Sequence, residues 1–283
     1  ELEIGGQRID KHYGHWLEAF AELTEPNTAG TVGTQGSSDG TVFQNMACMG
    51  GVKANATAGK AFVPLQFWFC RNPGLALPLI ALQYHEVKVK VAFSAALDSS
   101  GTTKLYVDYI YLDTDERRRF AQQSHEYLIE QVQYQNSGSS ASHELNFNHP
   151  VKELIWTGAK TWTSGTSAGE VSSTVLAAGT TFKLVLNGHD RFAARDRLYF
   201  TRAQVWQHHS GFGGVGSAAA LDGIAVYSFA LKPEEHQPSG TCNFSRIDNA
   251  RLVLSSGQEV NVYAVNYNVL RIMSGMGGLA YSN

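Results

Sequence analysis

A chain of 283 residues, 43% of them hydrophobic, is long enough for one large or two ordinary domains, each with a sizeable core. The 22 basic and 25 acidic residues leave a net charge of −3 and no broad basic surface for a nucleic-acid backbone, so no nucleic-acid partner is expected. Cys48, Cys70 and Cys242 are too few and too scattered for a disulfide framework or a zinc site and read as reduced thiols in a cytosol-like compartment, while no apolar run approaches the roughly 18 residues of a spanning helix.

The pattern along the chain is mostly that of short strands. Ile4-Gly5-Gly6-Gln7-Arg8-Ile9 reads as a strand end, a two-residue turn and a strand start. His12–Leu23 fits a short helix with Trp16, Ala19, Phe20 and Leu23 on one face. Thr24–Lys60, rich in Gly, Thr, Ser, Ala and Asn, reads as a long loop. Pro64–Cys70 reads as an aromatic strand, with Phe67-Trp68-Phe69 packed between sheets, and Leu75–Gln83 as a connection with a helical turn or two. Glu86–Val91 alternates apolar and polar residues, the mark of a strand with one wet face. Leu105–Leu112 is β-branched and aromatic, and is expected to be a strand. Asp113–Gln123 is charged without an apolar period and reads as a linker, its Arg117-Arg118-Arg119 run solvated or salt-bridged.

Farther along, Ser137–Ser142 and Thr157–Thr181 read as loops. Asn187-Gly188 signals a type I′ hairpin, whose two central residues need φ > 0. Ile224–Leu231 is a second aromatic strand, with Tyr227 and Phe229 facing a core. Arg251–Leu254 is a strand ended by a tight turn at Ser255-Ser256-Gly257, and Val265–Leu270 is the last strand.

These blocks occur twice in the same order. The Gly5-Gly6 turn parallels Asn187-Gly188, Pro64–Cys70 parallels Ile224–Leu231, Val87–Val91 parallels Arg251–Leu254, and Val107–Leu112 parallels Val265–Leu270. The copies stay in step apart from one long insertion in the first, matching Thr24–Lys60. The second copy has a long stretch before its turn and the first only a few residues, so the first unit is expected to lack its leading strands. A duplicated all-β unit points to architecture rather than to one active site.

Catalytic patterns fail in context. Gly165–Gly169 and Gly36–Gly40 fit G-x-S-x-G but sit in polar low-complexity stretches, where a nucleophile elbow needs a strand before and a helix after. Gly211–Gly216 fits G-x-G-x-x-G without the βαβ setting of a dinucleotide site. His125-Glu126 does not extend to H-E-x-x-H, since Ile129 stands where the second His would be; His208-His209 has no carboxylate or cysteine at ligand spacing and reads as a surface strand end. No catalytic residue, metal ligand or cofactor is therefore expected. Asn55-Ala56-Thr57 and Asn243-Phe244-Ser245 are glycosylation sequons, Asn55 in a plausible outer loop and Asn243 beside a buried Phe.

Several long strings carry a resemblance. Leu75–Val87, Leu112–Arg117 with Phe120-Ala121-Gln122 and His125–Gln131, Pro238–Asn249, and the tail from Asn266–Arg271 to Tyr281 resemble the major capsid proteins of nucleocytoplasmic large double-stranded DNA viruses. The chlorella-virus (phycodnavirus) type is the nearer match and the iridovirus type a more distant one, and the likeness runs from Glu1 to Asn283. The resemblance implies an all-β double jelly roll, two tandem antiparallel β-sandwiches, with a first jelly roll at 1–112, a linker at 113–125 and a second jelly roll at 126–283. It implies a homotrimer presenting six similar units as a pseudo-hexagonal capsomer of an icosahedral shell, assembled in the host cytoplasm, with neighbouring capsomers, minor capsid proteins and a penton protein as partners and no direct membrane insertion. Segments 24–60 and 157–181 are then outer loops. The rival reading from the residues alone is a carbohydrate-binding jelly-roll module, in which Trp16, Trp68, Trp156, Trp162 or Trp206 supplies a sugar platform; a jelly-roll glycosidase comes third.

Overall fold

The computed structural model describes residues 1–25, 62–93, 103–158, 176–211 and 223–281. The loop expected at 24–60, the sequon at Asn55 and both G-x-S-x-G strings lie outside the described residues, apart from Thr24 and Glu25. The chain forms two compact units: Glu1–His12, Gln66–Gln131 and Asn268–Asn283 make the first, Tyr13–Leu65 and Val132–Tyr267 the second. The tandem division at 113–125 cuts the chain differently.

In the first unit, β1 (Leu2–Ile4) lies between β2 (Gln7–Asp10) and β3 (Val87–Val89) in an antiparallel sheet. Gly5 and Gly6 link β1 to β2 at φ 58° and 84°, the paired left-handed backbone that a type I′ turn requires. A Cβ on Gly5 would also fall 2.2 Å from His85 Nδ1, so only glycine fits there. The same turn recurs at Ser274-Gly275 (φ 52° and 81°), between the end of β11 (Ala250–Met273) and β12 (Met276–Leu279), which pair Met273 with Met276. Leu2, Ile4, Ile9, Phe67, Trp68, Leu82, Leu270 and Ile272 are all buried.

Three expectations for this unit change. Phe67 and Trp68 are both buried, whereas neighbours in a strand point to opposite faces; the chain instead makes one helical turn, α2 (Trp68–Arg71). Leu105–Leu112 carries strand-forming residues yet joins no ladder among the described residues, and Tyr106 and Tyr111 are 78% and 93% exposed. Thr114–Gln122 is a helix, α3, rather than an irregular linker. Asp113 accepts the Thr114 N–H, Asp115 and Glu116 sit at the positive end of the helix dipole and Arg119 at the negative end, so caps and charges hold a helix with no apolar stripe. His125 Nε2 closes it by donating to the Phe120 carbonyl at 2.8 Å.

The second unit is built on a sheet in the order β10-β5-β11-β6-β7, with β9 paired to β5 and β8 to β6. Its strands are β4 (His125–Glu144, which starts in the first unit), β5 (Pro150–Gly158), β6 (Thr181–Leu186), β7 (His189–Asp190), β8 (Arg195–Asp196), β9 (Ile224–Ser228), β10 (Cys242–Asn243) and the first part of β11. Asn187 and Gly188 (φ 49° and 81°) form the expected hairpin turn, pairing Leu186 with His189.

The two-residue period of β5 divides the core. Leu154 and Trp156 face a cluster with Phe182, Leu184, Phe200, Val262 and Ala264, and Ile155 faces another with Trp16, Phe20, Val226, Tyr263 and Val265. The second cluster is roofed by α1 (Gly14–Thr24), which buries Trp16, Ala19, Phe20 and Leu23 as the periodicity predicts, and by Val205 of α4 (Gln204–His208). Tyr227 and Phe229 pack at the edge of the first cluster.

Ser137–Ser142 is strand within β4, and Ser255-Ser256-Gly257 does not end its strand. At that run β11 changes partner, from β6 (Ala250–Leu254) to β5 (Val260–Asn266), so small residues mark a change of neighbour rather than a turn. Of the loop expected at 157–181, Thr157 and Gly158 end β5 and Thr181 begins β6.

Candidate functional site

A group of buried charge lies in the second unit around His209, which follows α4 and returns its N–H to the Val205 carbonyl at 2.8 Å. Its imidazole lies between two carboxylates: Nε2 is 3.0 Å from Glu153 Oε2 and Nδ1 is 3.0 Å from Glu234 Oε1. Glu153 projects from the middle of β5 and is buried; Glu234 belongs to the turn 231–235. Ser210 N–H donates to Glu234 Oε1 at 2.9 Å, and Ser210 Oγ sits 2.7 Å from Oε2.

Burial alone would strip His209 of its proton, but the two carboxylates outweigh it and push the pKa up to about 9. For Glu234, burial is likewise outweighed, by its bonds to His209 and Ser210, and its carboxyl falls below the usual range. Next to Glu153, the Lys152 ammonium donates to the Pro233 carbonyl and lies 5.6 Å from the Tyr267 ring. Two neighbouring charges of one strand thus grip one turn.

This arrangement fixes the turn by charge: each imidazole nitrogen lies 3.0 Å from a carboxylate oxygen. No group of three His, Cys, Asp or Glu among the described residues could hold a metal ion. His208-His209 therefore ends a helix, not a strand, and His209 meets carboxylates 56 and 25 positions away that no local spacing reveals. The available signal was the Lys152-Glu153 pair, the only charges inside strand β5.

The other expected site residues stay apart. Trp16, Trp68 and Trp156 are core residues; of the described tryptophans only Trp206 is exposed, at 83%. Trp162 lies outside the described residues, as does all of Gly211–Gly216 beyond Gly211. Asn243 is exposed beside the buried Phe244; its Oδ1 accepts the Ser245 N–H at 3.1 Å, and Ser245 Oγ accepts the His149 N–H at 2.8 Å. Cys70 and Cys242 are free thiols raised in pKa by burial. Arg118 lies 3.9 Å from Asp115 on the exposed face of α3. Among the described residues no helix is long and apolar enough to cross a membrane.

Comparison with known proteins accounts for the whole chain. Residues 116–278 match the family described as large eukaryotic DNA virus major capsid protein, and residues 1–113 match the family described as major capsid protein N-terminus. The major capsid protein of Pyramimonas orientalis virus is 53% identical, covering 100% of this chain and 76% of the relative. That of Paramecium bursaria Chlorella virus 1 is 40% identical, covering 100% of this chain and 78% of the relative. Among solved structures, a quasi-atomic description of the PBCV-1 virus capsid superimposes with a TM-score of 0.71 at 37% identity, over 100% of this chain and 83% of the other. The fold is all-β, of the double-jelly-roll class, and the protein is a structural component of a virion. The chain belongs to the family of large eukaryotic DNA virus major capsid proteins.

Proposed function

We propose that three copies of the chain associate into a pseudo-hexagonal capsomer and that such capsomers tile an icosahedral shell. Each copy contributes two jelly-roll modules, 1–112 and 126–283, joined by 113–125. The single observation that carries this reading is the match of both halves of the chain to major capsid protein families. The matching two-residue turns at Gly5-Gly6 and Asn187-Gly188 support it, since a duplicated module lets a threefold assembly fill a sixfold lattice position with equivalent interfaces. Neighbouring capsomers, minor capsid proteins and a penton protein are the partners, assembly takes place in the host cytoplasm, and the chain acts through its surfaces rather than through turnover. Asn55 and Asn243 are the candidate sugar acceptors, and intact-mass analysis of virion protein tests both.

Light scattering combined with negative-stain imaging of the full-length gene product tests the assembly. Trimers with a pseudo-hexagonal outline are expected. A stable monomer without tendency to assemble overturns the proposal and returns weight to a carbohydrate-binding module, which glycan arrays would then examine. That alternative has lost much of its motivation, because Trp16, Trp68 and Trp156 are committed to cores.

A further inference from the structure

We propose that Glu153, His209 and Glu234 form an alkali-sensitive latch, which holds the turn 231–235 and the C-terminal end of α4 onto β5 while His209 is charged and releases them when it loses its proton. The geometry requires the charge. A neutral imidazole has one N–H, so it can satisfy only one of the two carboxylates that lie 3.0 Å from its nitrogens. Deprotonation would withdraw the positive charge from both; Glu234 would keep its Ser210 donors, whereas Glu153, buried at the centre of β5, would be left without a cation, and an uncompensated buried carboxylate is costly. Glu234 sits on a turn and can leave; Glu153 sits on a strand paired on both edges and cannot.

The surrounding groups make the turn the moving part. From β5, Lys152 donates to the Pro233 carbonyl, so the turn keeps one anchor after the latch opens. From α4, His208 Nδ1 meets the Leu231 carbonyl at 3.1 Å on an exposed edge. Lys232 and Glu235 pair with each other at 2.8 Å in solvent and do not face His209. From α1 come backbone carbonyls: that of Thr24 lies 2.9 Å from Ser210 Oγ, and that of Leu23 accepts the Gly211 N–H at 2.8 Å. Opening the latch thus also loosens Ser210, which Glu234 holds by two contacts.

The pH window follows from the signs. The pKa of His209 is raised by folding from 6.5 to about 9, so its contribution is complete below about pH 6.5, declines above it and is gone above about 9. Folding lowers the pKa of Glu234 from 4.5, so its contribution is present above that value and fades as pH falls. The latch is therefore tightest between about pH 4.5 and 6.5. With tenfold per pKa unit, its opening constant rises by roughly two orders of magnitude from pH 6.5 to 9.

Hydrogen exchange on the whole chain from pH 6 to 10, corrected for intrinsic rates and read by mass spectrometry, tests this. Peptides spanning 204–211 and 231–235 are expected to lose protection by tenfold or more towards pH 9, while the β5–β11 ladder stays protected. Glu234→Gln removes one charge with little change of shape and is expected to move the loss to lower pH. Nitrogen NMR of His209 in the unaltered chain gives a second readout that needs no variant: both ring nitrogens are expected to carry protons at pH 8. Flat protection across the range, an unmoved midpoint in Glu234→Gln, or a neutral imidazole at pH 7 would each overturn the proposal.

Discussion

The strings Val107–Leu112 and Val265–Leu270 are alike in residue type and opposite in fate. In β11, Val265, Asn266 and Tyr267 lie within a strand whose neighbour β5 pairs Val265 with Glu153, and all three are buried. Val107, Tyr109, Ile110 and Tyr111 are each more than half exposed and join no ladder among the described residues. The exposed string is at least as rich in strand-forming residues as the buried one, so propensity does not decide burial. A strand is completed by its neighbours, and the neighbours come from distant sequence.

Deleting a side chain where the neighbours are complete should have the largest effect. Trp156 on β5 is buried and touches Phe182 and Phe200, with ring centroids 5.5 and 5.2 Å away, in the first core cluster. Trp156→Ala is expected to destabilise the second unit by about 3–5 kcal/mol, because the cavity cannot collapse between two sheet neighbours. Chemical denaturation measures it. A cost near 1 kcal/mol would show that the core is looser than its packing.

His209→Gln comes next. The substitution keeps polarity but withdraws the cation from Glu153 and Glu234, and removing one partner of a buried ion pair costs on the order of 3–5 kcal/mol, reduced here because Glu234 can reach water. About 3 kcal/mol at pH 6 is expected, and the deficit should shrink towards pH 9, where the unaltered chain loses the same contribution. A deficit independent of pH would mean that His209 acts through packing alone. His143 offers a contrast. It is buried too, but burial lowers its pKa and no carboxylate compensates, so it is held neutral.

The turns give a smaller and more local effect. Gly5→Ala must hold φ at 58° and also push into His85, while Gly188→Ala must hold φ at 81° in open space. About 1–2 kcal/mol is expected at Gly188 from the left-handed backbone, and more at Gly5. Equal costs in thermal unfolding would show that the His85 ring simply moves aside.

What could be read in advance follows the range of the interactions. Asn187-Gly188, Gly5-Gly6 and the Trp16–Leu23 face of α1 are set by neighbours in sequence and were legible. The helix α3 is announced only by the capping pattern Asp113-Thr114-Asp115-Glu116, and without an apolar stripe the segment reads as a linker. Phe67-Trp68 and the Ser255–Gly257 crossing were not, because each depends on which distant strand is adjacent. The Glu153–His209–Glu234 cluster joins a strand, a helix end and a turn, so no string in the sequence contains it.

The smallest effect is expected where the described residues supply no strand neighbour, and it tests the comparison most directly. Tyr111 is 93% exposed, so Tyr111→Ser removes an aromatic ring that touches mostly water. Surface substitutions of this kind change stability by no more than about 0.5 kcal/mol in either direction. Chemical denaturation of the two chains at several protein concentrations should therefore superimpose. A loss above about 1 kcal/mol would mean that Leu105–Leu112 is buried in solution, and dependence of that loss on concentration would place the burial between chains rather than within one. Either way, the strand-forming character of this segment would then be explained by a partner, as that of β11 is explained by β5.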